Sequence, residues 1–120
     1  MPRSDASQFL YLTTTGRKTG KLHQIEIWFV EYERCFYIVH EHETLADWIA
    51  NILAHPAVTF RVGSPDAVAI EGKGRVVDWE TEPDLNMAVV DLMEAKYNWS
   101  DGRIVELKPN SMGSEAHGGI

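Results

Sequence analysis

Cysteine is nearly missing from this chain. The one thiol, Cys35, has no internal partner, so no disulfide framework holds the fold and nothing points to an oxidising compartment. Long apolar runs are missing too. No stretch approaches the roughly 18 residues a membrane span needs, and Met1 to Ser7 lacks the basic-then-apolar pattern of a signal peptide. Positive charge is scarce: 11 Lys and Arg stand against 18 Asp and Glu, a formal net charge of −7. A phosphate-neutralising face is hard to build from that balance, which argues against general binding to nucleic acid or anionic membranes. No internal repeat or low-complexity block is present. The expectation is a soluble, cytoplasmic domain with no nucleic-acid partner and no membrane span.

What is present fits one small fold. At 120 residues with 44% hydrophobic composition, roughly two-thirds of the unfolded surface can be buried, enough for a core without a structural metal. The expected organisation is one domain over 1–109 and a loose tail over 110–120. Gln8 to Thr14 is rich in aromatic and β-branched residues and reads as a strand, as does His23 to Tyr32. In the second of these, Ile25, Ile27 and Phe29 make one apolar face while Trp28 and Val30 make the other partly apolar. Such a strand is covered on both sides, by a helix, a closed barrel or a partner subunit. Cys35 to His40 follows after a short turn at Glu33-Arg34. Thr44 and Asp47 form a capping box for a helix carrying Leu45, Trp48, Ile49, Ile52 and Leu53, which stops at His55-Pro56. Ala57 to Val62 is a strand, and Ala67 to Trp79 a long one interrupted by Gly72 and Gly74, where another backbone or a ligand comes close or the strand bends. Pro83 opens a second helix with a stripe of Leu85, Ala88, Val89, Leu92, Met93 and Tyr97, and Ile104 to Leu107 closes the chain as a last strand. Six strands with two single helices predict a mainly β fold, a small barrel with helices packed outside.

The scarce positive charge is concentrated. No carboxylate occurs between Ala6 and Ile25, and Arg17, Lys18 and Lys21 sit together in Thr13 to Lys21 (TTTGRKTGK). Glycines let backbone N–H groups turn toward an anion, threonines add hydroxyls, and the three cations supply charge. The spacing is not that of a Walker A loop. From spacing alone, anion binding and a plain soluble hairpin turn both remain open.

These residues resemble the opening of the deazaflavin-dependent (F-420-type) nitroreductase family, within the split β-barrel flavin reductase and pyridoxamine phosphate oxidase-like superfamily. The resemblance continues in Asp47 to Val58 (DWIANILAHPAV), similar to that family's W-x-x-N-L-x-A-N-P helix, and in Val62-Gly63. It runs from about Phe9 to Val77, with a vaguer match at Arg103 to Pro109. The resemblance implies a six-stranded split β-barrel, a homodimer, and a deazaflavin coenzyme bearing a phosphate and a glutamate tail, with FMN as the alternative cofactor. It implies hydride transfer to a small-molecule acceptor: a quinone, nitro compound or activated alkene. By match, Thr15, Gly16, Lys18 and Thr19 would cradle the phosphate and Trp48 would lie along the cofactor groove. Thr14, Arg17, Gly20, Lys21, His23 and His40 complete the candidate cofactor set, and Tyr97 is the candidate catalytic residue.

Two stretches depart from the family's pattern. Leu22-His23 stand where it usually has Pro-Arg, and His40-Glu41-His42-Glu43 where it usually has Ser-Lys-Gly-Gly. A carboxylate at Glu41 opposes a phosphate unless it turns away. A split-barrel binding protein holding FMN, haem or a metal, with little or no reductase activity, is the alternative function. His40 and His42 share one side of an extended segment and have the spacing of metal ligands, but no third ligand is fixed, and no metal site is assigned. The same histidines are also candidate proton donors near neutral pH.

Overall fold

The computed structural model describes residues 9–40, 47–100 and 102–110. They form β1 (Phe9–Thr15), β2 (Leu22–Tyr32), β3 (Cys35–His40), α1 (Asp47–Ala54), β4 (Ala57–Val62), β5 (Ile70–Val76), α2 (Pro83–Tyr97) and β6 (Arg103–Pro109). The strands close into a barrel in the order β1-β2-β3-β6-β5-β4, every neighbouring pair antiparallel. The mainly β, six-stranded split barrel read from the sequence is the fold observed.

Alternation sorts the strands into an inside and an outside. Leu10, Leu12, Phe29, Phe36, Ile38, Val58, Phe60, Val105 and Leu107 fill the barrel, and α1 plugs it with Trp48, Ile49 and Ile52. Burial of side chains of this size stabilises by about 1.5–3 kcal/mol each. α1 packs this tightly because Gly74 has no side chain: a Cβ there would stand 3.1 Å from Ile52 Cγ2. Gly72 is bare for a different reason, since a Cβ would run into the backbone carbonyl of Lys108 on β6. Both glycines of the interrupted strand thus mark close approach, one by a side chain and one by a backbone.

A second core lies outside the barrel. Val30, Tyr37, Val39, Val77 and Ile104 meet Val89 and Met93 of α2, with Trp28, Tyr32, Leu85, Leu92, Tyr97 and Trp99 packed around them. The second apolar face of β2 is therefore covered by a helix of the same chain. Pro83 stands in the first turn of α2, and Asn98 caps its end in the left-handed conformation, its N–H donating to the Glu94 carbonyl at 2.9 Å.

Several boundaries differ from the sequence reading. The long strand starts at Ile70 rather than Ala67 and ends at Val76, because 67–69 are spent in the turn after Gly63 and Val77 already packs beneath α2. The last strand runs on to Pro109, which is buried opposite Gly72. The first starts at Phe9 among the described residues. The segment 41–46, with Thr44 of the capping box, and the tail beyond 110 fall outside the described residues, as does the side chain of Asp47. No helix among the described residues is long and apolar enough to cross a membrane.

Along β2 the barrel is split. Leu22 to Trp28 pair with β1, whereas only Phe29 to Tyr32 pair with β3. Before Phe29, the β3-facing edge of β2 has no strand partner among the described residues.

Candidate functional site

The β1–β2 connection, residues 16–21, hangs over the end of the barrel that α1 plugs. Its shape comes from bonds inside the loop. The Gly16 N–H donates to the Lys21 carbonyl at 2.7 Å, the Gly20 N–H to the Gly16 carbonyl at 2.9 Å, and the Lys21 N–H to Thr19 Oγ1 at 3.2 Å. Gly20 takes φ of 78°, a conformation that suits glycine. Gly16 is crowded: a Cβ would lie 3.1 Å from His23 Nε2 and from the Lys21 carbonyl oxygen.

Asn51 of α1 ties this loop to the barrel. Its Oδ1 accepts from the Arg17 backbone N–H at 3.1 Å and from Arg17 Nη1 at 2.9 Å, while its Nδ2 donates to Thr14 Oγ1 at 3.4 Å. Asn51 is 4% exposed, and an amide so buried needs these partners. With the N–H groups of Gly16, Arg17, Gly20 and Lys21 engaged, Lys18 and Thr19 carry the loop's uncommitted backbone donors among the described residues. The glycines therefore shape the loop; their amides do not reach out to a ligand.

A groove of about 580 Å³ opens between this loop, the start of β2 and α1. Gly16, Arg17, Lys18, Thr19, Lys21, His23, Gln24, Ile25, Trp48 and Asn51 line it. Arg17, Lys18, Thr19, Lys21 and His23 are exposed, so their polar ends can meet a solute, while Trp48 presents an apolar edge from a nearly buried position. The donors present, three cations with a hydroxyl and two free amides, suit a phosphate group.

A second groove of about 510 Å³ sits where β2 parts from β3, lined by Glu26, Ile27, Trp28, Val39, His40 and Trp99. The two grooves follow each other along β2, and His40 stands edge-on to Trp48 with ring centroids 5.7 Å apart. Trp28 forms one wall, stacked on Tyr97 at 4.4 Å and edge-on to Trp99 at 6.0 Å.

The structure brings most of the sequence candidates together. Gly16, Arg17, Lys18, Thr19, Lys21, His23 and Trp48 share the first groove, and His40 lines the second. Thr15 ends β1 and Gly20 belongs to the turn, and neither lines the groove. Thr14 is sealed beneath Asn51, 1% exposed, which makes it a support for the loop. Tyr97 is placed elsewhere. Its hydroxyl donates to the Phe29 carbonyl at 2.9 Å and accepts the Phe29 N–H at 3.1 Å, just beyond the Phe9–Trp28 pair. Burial raises the Tyr97 pKa, the Phe29 hydrogen bond pulling the other way, and neither groove has Tyr97 in its lining. Of the two departures, Leu22 points out at 71% exposure and His23 faces the groove, whereas Glu41, His42 and Glu43 lie outside the described residues. Among the described residues no cluster of three or more His, Cys, Asp or Glu could hold a metal. Sequence reasoning missed Asn51, Gln24 and Ile25; the signal for Asn51 was a polar residue on the apolar side of a helix, between Trp48 and Ile52.

A family profile described as F420H(2)-dependent quinone reductase matches residues 3–99. The chain belongs to that family. The matched span takes in the loop, both grooves and α2. A search of curated proteins finds no match. Among solved structures, a protein described as an F420 reductase is 22% identical over 89% of this chain and 90% of its own, with a TM-score of 0.58. The haem storage protein HutZ from Vibrio cholerae is 16% identical over 86% of this chain and 82% of its own, TM-score 0.67. A FAD-binding protein from Mesorhizobium loti is 12% identical over 88% and 83%, TM-score 0.69. At these identities the likenesses establish the split-barrel fold alone.

Proposed function

We propose that this protein is a deazaflavin-dependent reductase that passes a hydride to a small-molecule acceptor, a quinone in the first instance. The observation that carries the reading is the cationic groove of Arg17, Lys18 and Lys21 in a chain of net charge −7, on the span matched by the quinone reductase family. When bound, the coenzyme supplies the hydride. The chain's own residues supply place and environment. Lys18 and Lys21 offer charge-assisted hydrogen bonds to the coenzyme's phosphate, and the free N–H groups of Lys18 and Thr19 add two fixed donors. Arg17, held by Asn51, keeps one geometry and contributes field more than reach. Trp48 and Ile25 give the ring system an apolar bed and keep water from that side. The groove beside it, between Trp28, Trp99 and Val39, offers a flat acceptor an apolar slot with His40 at the junction. His40 can hold or deliver the proton that must accompany the hydride when a quinone becomes a quinol. Tyr97 positions Trp28 by stacking, and its phenol stays protonated.

The test is an anaerobic single turnover. Stoichiometric reduced deazaflavin mixed with protein is reoxidised on addition of a soluble quinone, faster than without protein. Reduced FMN under the same conditions shows no protein-dependent acceleration. Acceleration with FMN and none with the deazaflavin would overturn the assignment.

A further inference from the structure

Three of the chain's eleven Lys and Arg residues line the groove under the β1–β2 loop, and three others line a groove that shares no residue with it. The other groove encloses about 540 Å³ on β3, β5 and β6, with Cys35, Lys73, Arg75, Glu106 and Lys108 in its wall. Cross-strand register sets its charge. Arg75 pairs with Glu106, and Lys73 pairs with Lys108. The first pair is neutralised in detail. Glu106 Oε1 accepts from Arg75 Nε at 3.0 Å, Oε2 accepts from the Tyr37 hydroxyl at 2.8 Å, and the remaining Arg75 donors hold Glu82 at 2.7 and 2.9 Å. The second pair sets like charge against like, an arrangement that costs stability on a sheet. Neither ammonium has a hydrogen bond or ion pair among the described residues. Two uncompensated cations thus face one groove whose only carboxylate among the described residues is already satisfied.

We propose that this groove is a second anion site, which takes a small phosphate dianion, free or as a monoester, between Lys73 and Lys108. Directly opposed residues on antiparallel strands have Cβ atoms about 4.5–5.5 Å apart, and flexible lysine stems let both ammoniums converge on one group. The dianion matches the two charges and turns the repulsive pair into a bridge. Arg75 takes no direct part, because its guanidinium fork is committed to Glu106 and Glu82; it fixes the floor.

Cys35, the chain's sole thiol, stands in the same wall and reports on occupancy. Its thiol is pushed up chiefly by burial, with Lys108 and Arg75 among the groups that pull the other way. A bound dianion cancels part of that pull and covers the sulfur, so alkylation by neutral iodoacetamide slows. Rates are read by mass on the full chain against rising inorganic phosphate, then phosphoserine, with sodium chloride matched for ionic strength. The expected result is saturable protection by phosphate and none by chloride; tighter protection by phosphoserine assigns the site to monoesters, equal or weaker protection to free phosphate. Lys73→Gln and Lys108→Gln each raise the half-saturating concentration about tenfold. Lys18→Ala leaves it unchanged, which separates this site from the cofactor groove. Protection that chloride reproduces, that survives both glutamine variants, or that Lys18→Ala abolishes would overturn the proposal.

Discussion

Asn51→Ala removes a side chain that joins the cationic loop, the barrel and α1. The loss has three parts. The neutral hydrogen bond from the Arg17 N–H at 3.1 Å contributes about 1 kcal/mol. The bond from Arg17 Nη1 at 2.9 Å is charge-assisted, yet Arg17 is exposed and recovers water, so its share is about 0.5–1 kcal/mol. The long contact to Thr14 Oγ1 at 3.4 Å adds little in itself. The expected destabilisation is about 1–2 kcal/mol, which lowers the melting temperature by about 4–12 °C for a domain of this size. Affinity for the deazaflavin falls further than stability, since an untethered loop must be ordered again on binding. Asn51→Asp separates the two effects. Its carboxylate still accepts from Arg17 and keeps the loop in place, but it puts negative charge beside the phosphate. Urea unfolding and a tryptophan-fluorescence titration of each variant give the two numbers, Trp48 being the reporter in the groove. If Asn51→Ala leaves both stability and affinity unchanged, the loop does not depend on α1 and the argument for the groove's geometry fails.

Other outcomes follow from the same structure. Gly72→Ala is expected to cost about 1–3 kcal/mol or more by urea denaturation, because its Cβ meets the Lys108 backbone, which cannot swing aside. The β2–β3 turn places Glu33 at φ 50° and Arg34 at φ 71°, so Glu33→Asn with Arg34→Gly should stabilise by about 1–2 kcal/mol, visible as a higher urea midpoint. Burial first, then the hydrogen bond to Glu106, raises the Tyr37 pKa. The folded chain therefore holds that proton more tightly than the unfolded one: Tyr37's contribution to stability is intact below about pH 10 and declines as pH rises above it. Tyr37→Phe should flatten that decline between about pH 9 and pH 11; an unchanged slope would contradict the burial argument.

Much of the fold was legible because its signals are local. Alternating Leu10 and Leu12, the Glu33-Arg34 turn, Pro83 and the Val89-Met93 stripe each mark an element without help from the rest of the chain. Gly72 and Gly74 were legible as places of close approach, but which neighbour approached, Lys108 or Ile52, depends on strand order. The loop with Arg17, Lys18 and Lys21 was readable from composition, and Trp48 from the family-like helix. What could not be read was how the loop's donors are spent. The amides of Gly16 and Gly20 turn inward, and Asn51 takes that of Arg17, because hydrogen bonding is settled by the fold and not by residue type. The split along β2, and with it the second groove, also depends on register. The Lys73–Lys108 pair was invisible for the same reason: 35 positions separate them in the chain and one sheet unites them.

The central claim is that the groove under the β1–β2 loop holds the coenzyme by its phosphate. Its most direct measurement is the dissociation constant of the oxidised deazaflavin for the unmodified chain and for Lys18→Ala at one fixed salt concentration. Loss of a charge-assisted phosphate contact predicts weakening by about 1.5–3 kcal/mol, roughly 10-fold to 150-fold, with the fold stability unchanged. Equal dissociation constants for the two proteins, or no saturable binding to either, would contradict it.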